Sequence, residues 1–575
     1  MYKFKNFIRS NYSIILILIL ASALRFYHID YQSAWLDEIC SMIEANPSVP
    51  WYDLEISIIN SDPHPPLYFA FLKALLQIFG YTTFIGRVLS AITGVLGVFS
   101  VYLLGKELIN KKVGLIASFL LAINFFHIYY SQEIRMYAQL LLFSALSYYF
   151  LLKFIKNKTW KNTIMYGIVT GLMLLTQFFG LFVLMSQIFI LLIIFLKLPK
   201  TEKLFFVYKS ILSGAVMAIL FIPAINIFIA TTKKSYAVMQ PVTVDLIKQI
   251  FKDFAENSDA LLWMAIVSIA LYFFFATRQK TLREKPESQA LLILGSWILI
   301  TLAIPIVRSL LVTPMIVSRY FIVILPPILI LVAMGLAKLP KKIALSAVAV
   351  FLLTAFSVSI FKNDYYNNIN KTQFREVAGF VNNHNVENDI IVTNLPWHTT
   401  FFFKTEKVNT AIIEKSFNGY CQELIKDPYQ IESFWYFGAF NNPPILSDDS
   451  KVFIDKNFQL EQTIVANDSW ARHYVPKKTV DLSTRENLGK TIVLSNLNDE
   501  FWTGGVGTKF PMLLVDFSKE NIEKLQNVKR LNRKGGKNYR VIKVERMGDY
   551  IHIHLDRNPY QDKEILKYPT AIEFN

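Results

Sequence analysis

A chain of 575 residues that is 53% hydrophobic, 15% aromatic and only 18% charged is too apolar for an ordinary soluble globule and too long for a single domain. Its net charge of +16 would raise the question of nucleic acid in a soluble protein. Here the Lys and Arg residues fall in short clusters between apolar runs, the pattern of cytoplasmic loops, so no nucleic-acid partner is expected.

A membrane span needs about 20 mostly apolar residues. Eleven segments meet that description: 10–28, 83–104, 113–129, 136–153, 162–179, 180–197, 209–230, 259–277, 289–307, 320–337 and 341–361. The first could be mistaken for a signal peptide; it has no convincing small-residue cleavage site and is read as a retained span. With the N-terminus inside, Lys106, Lys111 and Lys112, then Lys153, Lys156, Lys158 and Lys161, then Lys197, Lys200, Lys203 and Lys209, all face the cytoplasm. An odd span count leaves the C-terminal part outside. The chain therefore reads as an α-helical polytopic membrane domain over 1–361 and an extracytoplasmic soluble domain over 362–575, and as a multi-pass protein of the cell membrane.

About ten residues past the first span stands Trp35-Leu36-Asp37-Glu38. A carboxylate pair there reads most simply as a solvated loop, but at a membrane exit it can meet both a lipid-borne and a water-borne substrate. The same external segment continues through Asp62-Pro63-His64-Pro65-Pro66 into Leu67 to Leu76, a run too short to span comfortably, whose prolines suit a first helical turn; a helix at the interface is expected. Arg87 opens the second span, Ser131-Gln132-Glu133-Ile134-Arg135-Met136-Tyr137 joins the third to the fourth, Gln177-Phe178-Phe179-Gly180 the fifth to the sixth, and Ser318-Arg319-Tyr320 enters the tenth. Taken singly, each arginine reads as a headgroup anchor, His64 as a loop residue, and Met136 and Tyr137 as bundle core and aromatic belt. A second external segment, 231–259, has amphipathic spacing around Leu246, Ile247, Ile250 and Phe251.

Beyond residue 361 the pattern turns to α/β or α+β. A helix is expected over Phe374 to Val381, and strands at Asn388 to Asn394, Val452 to Ile454, Thr491 to Leu494 and Tyr550 to Leu555. Cys40 and Cys421 would both lie outside, which allows a disulfide without placing the two thiols in bonding distance.

Leu36-Asp37-Glu38, His64-Pro65-Pro66-Leu67-Tyr68, Gly86-Arg87-Val88-Leu89-Ser90, Ser131 through Tyr137, and Arg319-Tyr320-Phe321 through Pro326-Pro327 occur in the order seen in the GT-C glycosyltransferases. The chain resembles that superfamily over roughly residues 1–361, most closely the family 39-like branch of protein O-mannosyltransferases and lipid A aminoarabinose transferases. The resemblance implies the GT-C fold and a lipid-linked donor, a polyprenyl-phosphate sugar presented on the non-cytoplasmic side. It also implies that the acid of the first external loop, here Asp37, is the general base.

The chemistry is consistent with this. A hydroxyl nucleophile needs its proton removed as it attacks an anomeric carbon, and a carboxylate can take it. A phosphate monoester leaves without a general acid but needs cations to hold its charge, which nominates Arg87 and Arg135 first and Arg319 after them. Glu38 and Glu133 stand second, to orient the acceptor, bond the sugar or, with Asp37, contribute to a divalent metal site. His64 and Tyr137 are expected at the donor. No His/Cys cluster has zinc spacing, and no cofactor is expected to be required. The expected acceptor is a protein Ser/Thr, a glycolipid or a cell-wall glycan, reached with inversion. The pair Gln177-Phe178 departs from the His-Tyr or similar pair of many relatives, and residues 362–575 add little to the resemblance. A transporter or flippase of lipid-linked sugars is the competing class, although the span interiors are nearly free of charge; a membrane-anchored binding protein working through 362–575 is a third.

Overall fold

The structure is a computed structural model that describes residues 2–60, 64–233, 241–278, 285–358, 364–384, 389–405, 410–426, 432–439 and 446–477, and the strands 500–503, 512–516, 530–533, 538–547, 550–555 and 572–574. It divides into two compact units, Met1–Asp30 with Cys40–Tyr366, and Tyr31–Ile39 with Asn367–Asn575.

The first unit is helical, and each of the eleven apolar runs contains a helix among its described residues. Among the described residues seven helices are long and apolar enough to cross a membrane, and the pair Lys111–Ile123 and Phe125–Ser131, bent by 63°, makes an eighth if it counts as one span. Three of the eleven runs fall short of that length: Asn11–Phe26 is a shorter apolar helix, Trp160–Leu174 has 15 residues and Lys341–Phe356 has 16. Helix length therefore does not establish the expected count of eleven.

The bent pair carries the loop of greatest interest, and its geometry has identifiable causes. Asn124 ends one half and caps the other, its Oδ1 accepting from His127 N at 3.0 Å while its Nδ2 donates to Phe254 O at 2.9 Å. A helix end inside a bundle leaves carbonyls without partners. Arg25, fully buried, supplies them: its Nη1 donates to Ala122 O at 3.0 Å and its Nη2 to Leu121 O at 3.2 Å. The same Nη2 lies 2.7 Å from His127 Nδ1, and because a guanidinium only donates, Nδ1 accepts and the imidazole is neutral. From the other side Glu256, in the left-handed region at φ 58°, receives Phe125 N at 3.2 Å.

Glycine sets two close approaches. A Cβ on Gly86 would stand 2.8 Å from Ile134 Cδ1, so this glycine lets the Gln132–Met136 loop seat against the helix Thr83–Leu108. A Cβ on Gly335 would overlap the Ser268 carbonyl, so Leu325–Lys338 and Asp259–Arg278 meet backbone to backbone. Pro326 and Pro327 occupy the first turn of Leu325–Lys338, where the missing N–H groups cost nothing. The expected short helix is Leu67–Phe79, and the amphipathic external segment is Val244–Phe254, capped by Thr243 and burying Ile250 and Phe254.

In the second unit β1 (Ile390–Thr393), β2 (Ile412–Glu414), β3 (Phe434–Ala439), β4 (Phe458–Ala466) and β5 (Ser469–Pro476) form a sheet of order β2-β1-β3-β5-β4. The β1 strand runs parallel to β2 and β3, whereas β5 runs antiparallel to β3 and β4. Val392, Phe417, Phe434, Tyr436, Trp470 and Tyr474 are buried together in its core. A second sheet, antiparallel throughout, has the order β11-β8-β9-β10-β7-β6, with β6 Glu500–Thr503, β7 Met512–Asp516, β8 Arg530–Arg533, β9 Asn538–Met547, β10 Tyr550–Leu555 and β11 Ile572–Phe574.

The expected helix is Phe374–His384, and the expected strands at Ile390–Thr393 and Tyr550–Leu555 are present. The strand expected at Val452 to Ile454 is instead part of the helix Asp448–Asn457, because Ser447 caps it and Asp448 and Asp449 place negative charge on its first turn, outweighing two β-branched residues. The strand expected at Thr491 to Leu494 lies outside the described residues. Cys40 and Cys421 are thiols, not a disulfide.

Candidate active site

The segment bearing Asp37 and Glu38 groups with the chain beyond Asn367, in the second unit. Both acids occupy the first turn of the helix Leu36–Glu44, where the amide dipoles favour negative charge. They are not equivalent. Asp37 is half-buried, whereas Glu38 has no solvent exposure. Glu38 Oε2 receives the Lys371 ammonium at 2.9 Å and reaches back to Trp35 N at 3.4 Å, the position from which a third-residue Glu caps its own helix. Around that pair the loop is sewn down: Gln32 Oε1 accepts from Asn370 N at 3.1 Å, Ser33 Oγ from Arg375 N at 3.1 Å, and Tyr31 O from Arg375 Nη2 at 2.9 Å.

The cations belong to the first unit. Arg135 is 1% exposed and lies in the Gln132–Met136 loop; its Nη1 donates to Ser41 Oγ at 3.3 Å, and its guanidinium carbon stands 5.9 Å from the centroid of the Tyr137 ring. Arg319, in the turn Ser318–Ile324, stands at the same 5.9 Å from that ring and 5.8 Å from Tyr320. Tyr137, fully buried, is thus approached by two guanidinium groups, with Tyr130 against its ring at 5.1 Å. Glu133, 1% exposed, is hydrogen-bonded by Tyr129 and supplies the nearby negative charge; its carbonyl accepts from Arg135 N at 2.7 Å, which tightens the loop.

That loop is anchored at both ends. Gln132 donates to Arg25 O at 3.1 Å and Tyr27 O at 2.9 Å and accepts from Tyr365 at 2.7 Å. Ser90 Oγ donates to Arg135 O at 3.2 Å and receives Tyr68 at 2.8 Å.

Arg87 is also buried, but it faces the Ile29–Asp30 turn, donating to Ile29 O at 3.0 Å with Asp30 Oδ1 at 3.4 Å. His64 is 9% exposed just before Pro65 and Pro66. Gln177 folds its Oε1 onto Phe179 N at 2.5 Å, which makes it a turn former. The structure therefore brings Arg135, Arg319, Tyr137 and Glu133 together, sets Asp37 beside Glu38, and gives Arg87 a local partner. Lys371, Asp30 and Arg25 escaped the sequence reading. Lys371 sits in Asn370-Lys371-Thr372 with no motif around it, and only Arg25, a cation at the end of an apolar run, carried a visible signal.

Among the described residues, no group of three or more His, Cys, Asp or Glu is placed to hold a metal ion. Outside the spans, burial raises the Tyr81 hydroxyl above its ordinary range while it donates to Met42 O at 3.0 Å.

Residues 63–227 match the family described as dolichyl-phosphate-mannose-protein mannosyltransferase. None of the curated protein sequences compared with the chain matches it. Among solved structures, ArnT from Cupriavidus metallidurans bound to undecaprenyl phosphate is similar with a TM-score of 0.52 and 12% identity, covering 80% of this chain and 98% of that one. The archaeal oligosaccharyltransferase AglB from Archaeoglobus fulgidus, in complex with an inhibitory peptide and a dolichol-phosphate, matches with a TM-score of 0.44 and 11% identity over 90% of this chain and 80% of that one. The Pmt1-Pmt2 protein O-mannosyltransferase of S. cerevisiae, bound to its sugar donor, gives 0.32 and 15% over 44% and 37%.

Proposed function

We propose that this chain, a multi-pass membrane protein with the GT-C fold, transfers a single sugar from a polyprenyl-phosphate donor to a hydroxyl acceptor outside the cytoplasmic membrane, with inversion. The observation that carries the reading is the pair of guanidinium groups, Arg135 and Arg319, each 5.9 Å from the buried Tyr137 ring. Two planar forks around one aromatic group suit the dispersed charge of a phosphate and the apolar start of a polyprenyl chain.

In the proposed reaction Asp37 takes the proton of the acceptor hydroxyl as that oxygen bonds to the anomeric carbon. The bond from that carbon to the phosphate oxygen breaks on the opposite side, and the released polyprenyl phosphate keeps the electron pair. Arg135 and Arg319 hold the growing charge in a site where little water competes, so each counts for more than it would in bulk. Glu133 sets the loop and the charge balance around Arg135, and His64 contacts the donor. The reaction asks for no metal. The basic clusters support a cytoplasmic N-terminus and an external second unit.

The test is release of free polyprenyl phosphate by purified protein given a polyprenyl-phosphate sugar and a mixed acceptor extract. Release that persists in Asp37→Asn at the wild-type rate sinks the assignment of the base. No release from any polyprenyl-phosphate sugar sinks the reading itself.

A further inference from the structure

Glu38 stands next to the proposed base, yet its carboxylate is fully enclosed and turned to a lysine 333 residues further along the chain. We propose that Lys371 is a positioning residue for Asp37, acting through Glu38; the inference rests on the reading of Asp37 as the base.

The argument starts from burial. Glu38 is 0% and Lys371 7% exposed at the side chain, and their polar atoms meet at 2.9 Å. Two charges enclosed in this way are held firmly, because removing either leaves the other without its partner in a poorly solvated place. A surface pair of the same length could drift, but this one has little freedom to do so. The Glu38 oxygen bonded by Lys371 is also the one that reaches Trp35 N, so the ammonium fixes the carboxylate that fixes the first turn of the helix Leu36–Glu44. Asp37 lies inside that turn. Its orientation therefore depends on the ion pair, although Lys371 need not touch any substrate.

The surroundings reinforce this. Lys371 Nζ lies 5.9 Å from the Trp35 ring, so the cation holds the residue before the helix as well as the one within it. The Lys371 backbone N–H donates to Gln32 Oε1 at 3.4 Å, and its carbonyl accepts Asn467 Nδ2 at 3.0 Å, which ties the lysine to the turn between β4 and β5. Asn467 N in turn donates to Gln373 Oε1 at 2.9 Å. A chain of bonds thus runs from the sheet to the turn that carries the base. In this light the second unit orients the carboxylate.

The expected result is a split between kinetic constants. Lys371→Met lowers kcat by roughly 10- to 100-fold, the order of loss from a small misplacement of a reacting group, and leaves KM for the donor near wild type. Lys371→Arg, which keeps the charge, recovers most of the rate. In Glu38→Gln with Lys371→Met the loss is smaller than the product of the two single losses, because both charges have gone together.

Lys371→Met at full kcat, or the two single losses multiplying in the double variant, overturns the proposal. If Lys371→Met does not accumulate in the membrane, Lys371→Arg and the double variant decide on the same two criteria. Asp37→Asn assayed alongside separates the two ideas: an inactive Asp37→Asn with an unaffected Lys371→Met removes only this inference, whereas an active Asp37→Asn removes the reading beneath it.

Discussion

At the scale of single residues, neighbours in sequence have different surroundings. Asp37 and Glu38 are adjacent acids in one helical turn, the first half-buried and the second enclosed in an ion pair with Lys371. Asp37→Asn should cost about 10²- to 10⁴-fold in turnover with the protein still in the membrane, the usual contribution of a positioned base. The arginines divide in the same way. Arg135→Gln and Arg319→Gln should each raise KM for the donor and lower kcat, and Arg135→Lys should recover only part of either, since a point charge cannot present two parallel N–H groups. Arg87→Gln should lower thermal stability and membrane yield, because its guanidinium donates to Ile29 O and lies beside Asp30. In the sequence Asp37, Arg135 and Arg319 stand out through their positions beside spans. The sequence could not tell that Arg87 points to a backbone carbonyl, since that depends on where Ile29 lies in space.

At the scale of elements, the apolar runs were readable and their ends were not. Each run contains a helix because apolar residues in lipid must satisfy their backbone internally. The 63° bend at Asn124 was hidden, since one polar residue inside a run tells nothing of the Arg25 and Glu256 side chains that hold it. The helix Asp448–Asn457 was hidden for a related reason: a local cap overrode the strand preference of Val452 and Ile454. Two tests belong here. Gly335→Leu should lower the melting temperature in detergent, an overpacking cost of about 1–3 kcal/mol or more, because its Cβ would meet the Ser268 carbonyl. In the helix Pro396–Thr405, burial pushes His398, stacked on Phe374, down from 6.5 to about 4. The folded unit keeps this imidazole neutral while the unfolded chain takes up a proton below 6.5, so stability is complete above that value and falls as pH drops toward 4. Between those limits the melting temperature of wild type should fall more steeply with decreasing pH than that of His398→Phe; parallel curves would show that this histidine does not carry the slope.

At the scale of the molecule, composition and charge were enough to predict a multi-pass membrane protein, and the periodicity beyond residue 361 indicated mixed helix and strand. The assignment of Tyr31–Ile39 to the second unit was beyond the sequence, because the bonds from Gln32, Ser33 and Glu38 to residues past 367 leave no periodic trace. A protease site appended to the C-terminus should be cut from outside intact cells and protected from the cytoplasmic face; the opposite result would reverse the proposed orientation.

The pairing of Glu38 with Lys371 also has a consequence in time. At roughly 5–20 residues per second of synthesis, the ribosome needs some tens of seconds to add the 333 residues that separate the two. Throughout that interval Glu38 has been made and Lys371 has not. On the proposed role of Lys371, the turn that carries Asp37 gains its clamp only after residue 371 has been made.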